Sequence, residues 1–149
     1  MDQRMNIAQR FFGRGVVGGV VAGKAIVSRE PIVWCHGVDP ASGRIVDVRV
    51  PIQGQSIRGL IFVYPHGKGS TTSSTWMLET IRRGNGPRAI INRETELIVA
   101  AGAVLGEMLY QKRTPVVDQL DADPLEVIET GDWVTVDGDQ GIVEVVRTN

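Results

Sequence analysis

A chain of 149 residues with a formal net charge of -1 is long enough for one buried core and too evenly charged to hold a nucleic-acid backbone by electrostatics. Hydrophobic residues at 42% fit a soluble globular domain, and aromatic residues at 5% argue against a base-stacking surface. The single cysteine, Cys35, excludes an internal disulfide and any all-cysteine metal cluster held by this chain alone.

Met1 to Phe12 carries Arg4 and Arg10 but no hydrophobic signal core, so it is read as a short N-terminal arm (1–12) on a cytoplasmic protein. Residues 13–149 read as one domain without a linker-like break. From Gly13 to Gly59 the pattern is β and turn: Val16-Val17, Ala25-Ile26-Val27 and Ile32-Val33-Trp34 are separated by Gly-Gly, Ser-Arg-Glu-Pro and, after the last, Asp-Pro-Ala-Ser-Gly turns. From Leu60 the period changes. A strand at Leu60–Tyr64 precedes a helix from about Ser74 to Arg83, stopped by Gly84-Asn85-Gly86-Pro87. Ala89-Ile90-Ile91 makes a second strand. A helix over about Glu94 to Met108 repeats apolar residues at Leu97, Ala101, Val104, Leu105 and Met108, which predicts that these face the core. Its apolar stretch, Leu97 to Leu105, is too short to span a bilayer. Pro115-Val116-Val117 makes a third strand, giving β-α-β-α-β and parallel pairing. Two alternating runs around Asp137-Gly138 predict a closing hairpin. The expected class is α/β, a parallel β-α-β-α-β centre packed against a β-rich layer drawn from both chain ends.

The segment Tyr64-Pro-His-Gly-Lys-Gly-Ser-Thr-Thr-Ser-Ser-Thr75 carries the chemistry. A strand that feeds a glycine-rich loop into a helix start presents backbone N–H groups and the positive end of the helix dipole, an arrangement suited to an anion. Lys68 adds a full positive charge, and Ser70, Thr71, Thr72, Ser73 and Ser74 add hydroxyls. The loop is not a Walker phosphate loop, because Lys68 is followed by Gly69 where that motif needs Ser or Thr. The plain reading of Ser70 is a turn or N-cap hydroxyl, and that of Lys68 a solvated surface lysine. Cys35 and His36 lack the spacing of a zinc site, and on an extended segment Cys35 is expected in the core. Asp39-Pro40 starts a turn. Trp34, Trp76 and Trp133 are expected as core or interface anchors, Trp76 in the first turn after the loop.

From Gly13 to Val146 the sequence resembles the small subunit, or swivelling domain, of the aconitase X dehydratases. The pieces that carry the resemblance are Gly13-Arg14-Gly15, Gly37-Val38-Asp39-Pro40 with Gly43, Gly54-Gln55-Ser56-Ile57, Gly67-Lys68-Gly69-Ser70-Thr71, Ala89-Ile90-Ile91-Asn92 and the Gly131-Asp132 hairpin. Each is weak alone; their order and spacing are specific. The resemblance implies a β/β/α swivelling fold, a heterodimer with a large subunit, and a hydro-lyase that is inactive without it. It implies dehydration of a hydroxy acid at an iron–sulfur cluster held by the large subunit, with none bound by this chain alone. Ser70 takes the place of the family's serine base, with Lys68, Gly69 and Thr71 as substrate- or anion-binding neighbours. Archaeal members dehydrate 5-phosphomevalonate to an anhydromevalonate phosphate; bacterial members act on cis-3-hydroxy-L-proline. His66 stands where archaeal members carry Arg, and Thr72-Ser73-Ser74 where they carry Val-Gly-Ser, departures that bear on the substrate. A reading from another class is a phosphohistidine-type swivelling carrier, suggested by the closing hairpin. Such a carrier needs a histidine within the loop, and none follows His66. A third is a scaffolding module without chemistry.

Overall fold

A computed structural model of the chain describes residues 8–147. Ten strands and three helices follow one another: β1 (Ala8–Phe12), β2 (Arg14–Val17), β3 (Val20–Val27), β4 (Ile32–Val33), β5 (Ile61–Tyr64), β6 (Gly67–Lys68), α1 (Thr72–Arg82), β7 (Ala89–Asn92), α2 (Leu97–Tyr110), β8 (Val116–Asp118), α3 (Pro124–Val127), β9 (Trp133–Asp137) and β10 (Ile142–Val146). Eight strands form one sheet in the order β1-β10-β9-β3-β5-β7-β8-β2, and β4 and β6 form a small parallel ladder of their own.

Strands β3, β5, β7 and β8 run parallel, as the β-α-β-α-β pattern requires, and β9 and β10 form the antiparallel hairpin. Alternation along the central strands sorts their side chains into two cores. Phe62, Tyr64, Ile90 and Ile26 join Trp34, Met77, Ile81 and Val99 beneath α1 and α2. Ile61, Val63, Ile91 and Val117 join Val134, Val136, Val143 and Val145 of the hairpin on the other face. Strands buried on both faces read as unbroken apolar runs, which is why β5 and β7 were legible. The result is three layers, β/β/α.

The segment expected to be an arm is, from Ala8 onward, an edge strand: β1 pairs with β10 from Ala8↔Val146 to Phe12↔Ile142. Residues 1–7, the rest of that arm, lie outside the described residues. Since β1 and β2 are opposite edges of the sheet yet only Gly13 separates them in the chain, the sheet rolls until its edges meet. Glycine makes that seam possible. A Cβ at Gly13 would stand 2.4 Å from the Asp118 carbonyl oxygen, and one at Gly141 equally close to that of Gly13.

The face that α2 buries differs from the one its periodicity predicts. Val99, Gly102, Ala103 and Gly106 turn inward, whereas Leu97, Val104, Leu105 and Met108 are exposed, as is Ala101. The reason is close packing on α1: a Cβ at Gly102 would lie 2.7 Å from Met77 Sδ, and one at Gly106 would lie 3.1 Å from Ile81 Cγ2. Two small residues one turn apart bring the helices together, and apolar periodicity alone cannot rank a small face against a large one.

Candidate functional site

The carboxyl ends of β5, β7 and β8 point the same way, and the loops leaving them gather at one end of the sheet, where α/β sheets bind ligands. The loop after β5 is the hydroxyl loop. It first pairs as β6 with β4, through Ile32↔Gly67 and Val33↔Lys68, then turns at Gly69 into α1. Gly67 passes beside the start of α2, where a Cβ would lie 2.6 Å from Glu96 Oε1 and 2.9 Å from Val99 Cγ2. Gly69 has φ +108, a conformation L residues rarely adopt, and it aims the chain into the helix.

Ser70 is exposed, and its Oγ accepts from the Thr72 N–H at 3.3 Å in a local turn. The Ser70 and Thr71 carbonyls accept from Ser73 N and Ser74 N. Thr71 is the N-cap of α1 and makes no side-chain cap bond. Among the described residues, the amides of Ser70 and Thr71 donate to no protein acceptor, so they stand with the dipole of α1 at the exposed start of the helix. Lys68 is exposed and close enough to Asp47 to help hold that carboxyl below its usual range, although the Arg49 fork on Asp47 is the main cause. Ser70, Lys68, Gly69 and Thr71 thus share one exposed turn, as their adjacency in sequence requires.

Ser73 behaves differently from its neighbours. It is buried, and its Oγ accepts from the Cys35 amide at 3.3 Å, which ties the 35–37 turn to the helix start. Cys35 is half-buried rather than in the core, because Cys35-His36 lies in a turn and not on an extended strand. His36 takes φ +62 and lays its ring against Trp76, centroids 4.5 Å apart. Trp76 Nε1 donates to the Val38 carbonyl at 2.5 Å, so this tryptophan anchors the 35–40 segment within the chain. Trp34 is fully buried and donates to the Tyr64 hydroxyl at 3.2 Å, whereas Trp133 stands 44% exposed on β9. Burial pushes the Tyr64 phenol far up, so it stays protonated. Asp39 makes the expected turn, accepting from Ala41 N and Ser42 Oγ.

Two supporting residues escaped the sequence reading. Asp118, at the end of β8, is fully buried and accepts two bonds from the Arg14 guanidinium and one from Thr95 N at 2.7 Å. Asn92 is also fully buried; it donates to the Tyr64 carbonyl and accepts from Thr95 Oγ1. Together they fix the 93–96 loop against the base of the hydroxyl loop. Its helix therefore starts at Leu97, with Glu96 capping the amides of Ile98 and Val99, rather than at Glu94. No local pattern marks Asp118, whose partner lies 104 residues away. A cleft of about 500 Å³ lined by Pro65, His66, Arg93, Glu94, Thr95 and Glu96 opens here; Arg93 is committed to Asp123.

The fold and loop define a β/β/α domain that offers an exposed serine at a helix N-terminus. Its sequence matches the aconitase X swivel domain over residues 10–145, and the chain belongs to that family. It is 41% identical over 138 residues to the phosphomevalonate dehydratase small subunit of Methanosarcina mazei, covering 93% of this chain and 92% of that one. It is 42% identical over 134 residues to the protein of the same name from Pyrococcus furiosus, covering 90% and 93%. The crystal structure of Thermococcus kodakaraensis aconitase X in its holo-form superposes with a TM-score of 0.85 at 40% identity, covering 93% of this chain and 99% of that one.

Proposed function

We propose that this chain is the small subunit of a two-subunit phosphomevalonate dehydratase, with Ser70 as the base that removes a proton next to the substrate carboxylate. The observation that carries the reading is the exposed Ser70 hydroxyl at the start of α1, next to amides without a protein acceptor and two residues after exposed Lys68. Family membership and the relatives named phosphomevalonate dehydratase small subunit support the substrate, 5-phosphomevalonate, over cis-3-hydroxy-L-proline.

In this reaction a C–H bond beside the carboxylate breaks, its electron pair forms the C=C bond, and the neighbouring C–O bond breaks to release hydroxide. The proton goes to the Ser70 alkoxide; when the hydroxyl gives it up again, it and the released hydroxide make the one water lost. A serine hydroxyl is a poor base unless its alkoxide is stabilised. The dipole of α1 and the Lys68 ammonium both favour negative charge at this position. The Ser70 and Thr71 amides, with Lys68, suit a carboxylate or phosphate oxygen of the substrate. Buried Asn92 and Asp118 hold the adjacent loop and touch no reacting atom.

The residues of this chain do not fit an iron–sulfur cluster. Cys35 is its only cysteine, and no group of three His, Cys, Asp or Glu side chains converges among the described residues. In this reading the cluster belongs to the large subunit, and the purified chain is expected to carry no iron; stoichiometric iron by elemental analysis after anaerobic purification would overturn it.

The deciding experiment is Ser70→Ala in the reconstituted complex with 5-phosphomevalonate as substrate. Loss of a positioned base lowers kcat by roughly 10²-fold or more, while substrate binding stays near wild type. Near-wild-type kcat with the complex intact would leave Ser70 as a helix-start hydroxyl only. Turnover of cis-3-hydroxy-L-proline instead would reassign the substrate and keep the base.

A further inference from the structure

We propose that the outer stripe of α2 is the docking face for the large subunit, and that it meets an uncharged, apolar surface there. This rests on the two-subunit reading above. Leu97, Ala101, Val104, Leu105 and Met108 recur along one side of the helix and are all exposed, Leu97 at 86% and Met108 at 69%. The stripe is about 16 Å long at the helical rise. Five exposed apolar side chains on one helix face make a patch of the kind that marks an interaction site rather than scattered surface hydrophobics. Within α2 the one ionisable group apart from the terminal Tyr110 is Glu107, already bound to Arg113. A charged partner surface would find nothing to pair with.

The position of the stripe selects the occupant. It begins at Leu97, directly after Glu96, which touches Gly67 of the hydroxyl loop, and Ser74 Oγ of α1 donates to the Ile98 carbonyl. The start of α2 therefore lies next to the loop that a subunit serving Ser70 has to reach. A groove of about 770 Å³ lined by Val16, Leu97, Ile98 and Ala100 together with Arg14, Thr95 and Glu96 adjoins the stripe at Leu97; Arg14 is bonded to Asp118 and Glu96 caps α2, which leaves the apolar walls to take an apolar side chain. Val48, next to Asp47 in the chain, stands 77% exposed. Leu97 and Val48 are the two most exposed large hydrophobic side chains among the described residues. The stripe alone is smaller than the roughly 800 Å² per partner of a stable interface; loop and groove supply the rest.

The test uses the full chain and the aconitase X large subunit of the same organism. Leu97→Asp and Met108→Lys each place a charge where the helix dipole favours it, so both variants fold, as circular dichroism and Tm will verify. Leu97→Asp should raise the Kd for the large subunit roughly 30-fold or more, as a central apolar anchor does, and Met108→Lys should raise it less. Val20→Lys alters an exposed apolar residue on β3, opposite Asp137, and should leave Kd unchanged. Wild-type affinity in both α2 variants would overturn the proposal while leaving the two-subunit reading intact. A wild-type chain that fails to bind the large subunit would overturn both. If the isolated chain dimerises and Leu97→Asp abolishes only that dimer, the face belongs to a second copy and the proposal falls. Ser70→Ala should bind normally, so loss of the base and loss of docking are read separately.

Discussion

Gly69→Ala tests whether the backbone, rather than any side chain, sets the position of the proposed base. The substitution adds one methyl group next to Ser70 and removes no functional atom. At φ +108 an L residue carries strain of about 1–3 kcal/mol, and the new Cβ would come within 3.1 Å of Ser73 Oγ and 3.5 Å of Val33 Cγ1. If the loop held its shape, the whole strain would reach the stability of the fold. For a domain of this size that lowers Tm by roughly 3–9 °C. The loop is exposed at Gly69 and Ser70, so it has room to relax, and relaxation moves Ser70. A displacement of about 1 Å at a positioned group costs on the order of 10²-fold in rate. Expected is a Tm loss at the lower end of that range together with a fall in kcat of about 10²-fold in the reconstituted complex. Gly84→Ala is the control. Gly84 has φ +77 and open space around it, at the far end of α1, so it should lose about 1 kcal/mol and keep full kcat. A Gly69→Ala enzyme with wild-type kcat and the full strain penalty in Tm would refute the reasoning.

Met77→Ala should cost about 2–5 kcal/mol, because Met77 is fully buried against Gly102 and its removal opens a cavity between α1 and α2; a loss under about 1 kcal/mol in urea unfolding would show that the helices close the gap. Acid should destabilise the fold below about pH 4.5. The Arg82 fork and a single bond from Arg83 hold Glu79 down at about 2 against an ordinary 4.5, Arg49 lowers Asp47, and Arg93 lowers Asp123. These carboxyls bind fewer protons in the native than in the unfolded state, so their contribution is complete above their ordinary values and drains away as pH falls towards 2. Glu79→Gln should flatten the Tm–pH slope between about 4.5 and 2, and an unchanged slope would deny Glu79 its part.

What could be read from the residues depended on whether the cause was local. Strands β5 and β7 are buried on both faces and announce themselves as apolar runs, and the turn at Asp39 follows from its own side chain. The hydroxyl loop was legible as a local feature because Lys68, Gly69, Ser70 and Thr71 are consecutive. The inner face of α2 was not, since the deciding factor is the room that Gly102 and Gly106 leave for Met77 and Ile81, on a helix distant in sequence. Cys35 was misread for a similar reason: the turn that half-exposes it is held by Ser73, 38 residues on. Asp118 is silent in the sequence, as its importance lies in Arg14 and Thr95 reaching it. The strand at Ala8–Phe12 carries the pattern Ala-Gln-Arg-Phe-Phe, too polar to be read alone, and it exists because β10 offers it an edge.

The rolled sheet also dictates when the molecule can assemble. Its first strand pairs with its last, Arg10 and Glu144 meeting across 134 positions, and β2 waits for β8 across about a hundred. A chain emerging from the ribosome can form α1 and pair β3, β5 and β7 early, but it cannot close the seam at Gly13 until residues 138–146 are free. Non-local pairing of this kind slows folding, and until closure the inner faces of β3, β5 and β7 lack the hairpin that covers them. Nascent copies therefore carry exposed strand edges and apolar surface through the whole of synthesis, which makes this the interval in which a chaperone, or early engagement of another subunit, decides the yield of folded protein.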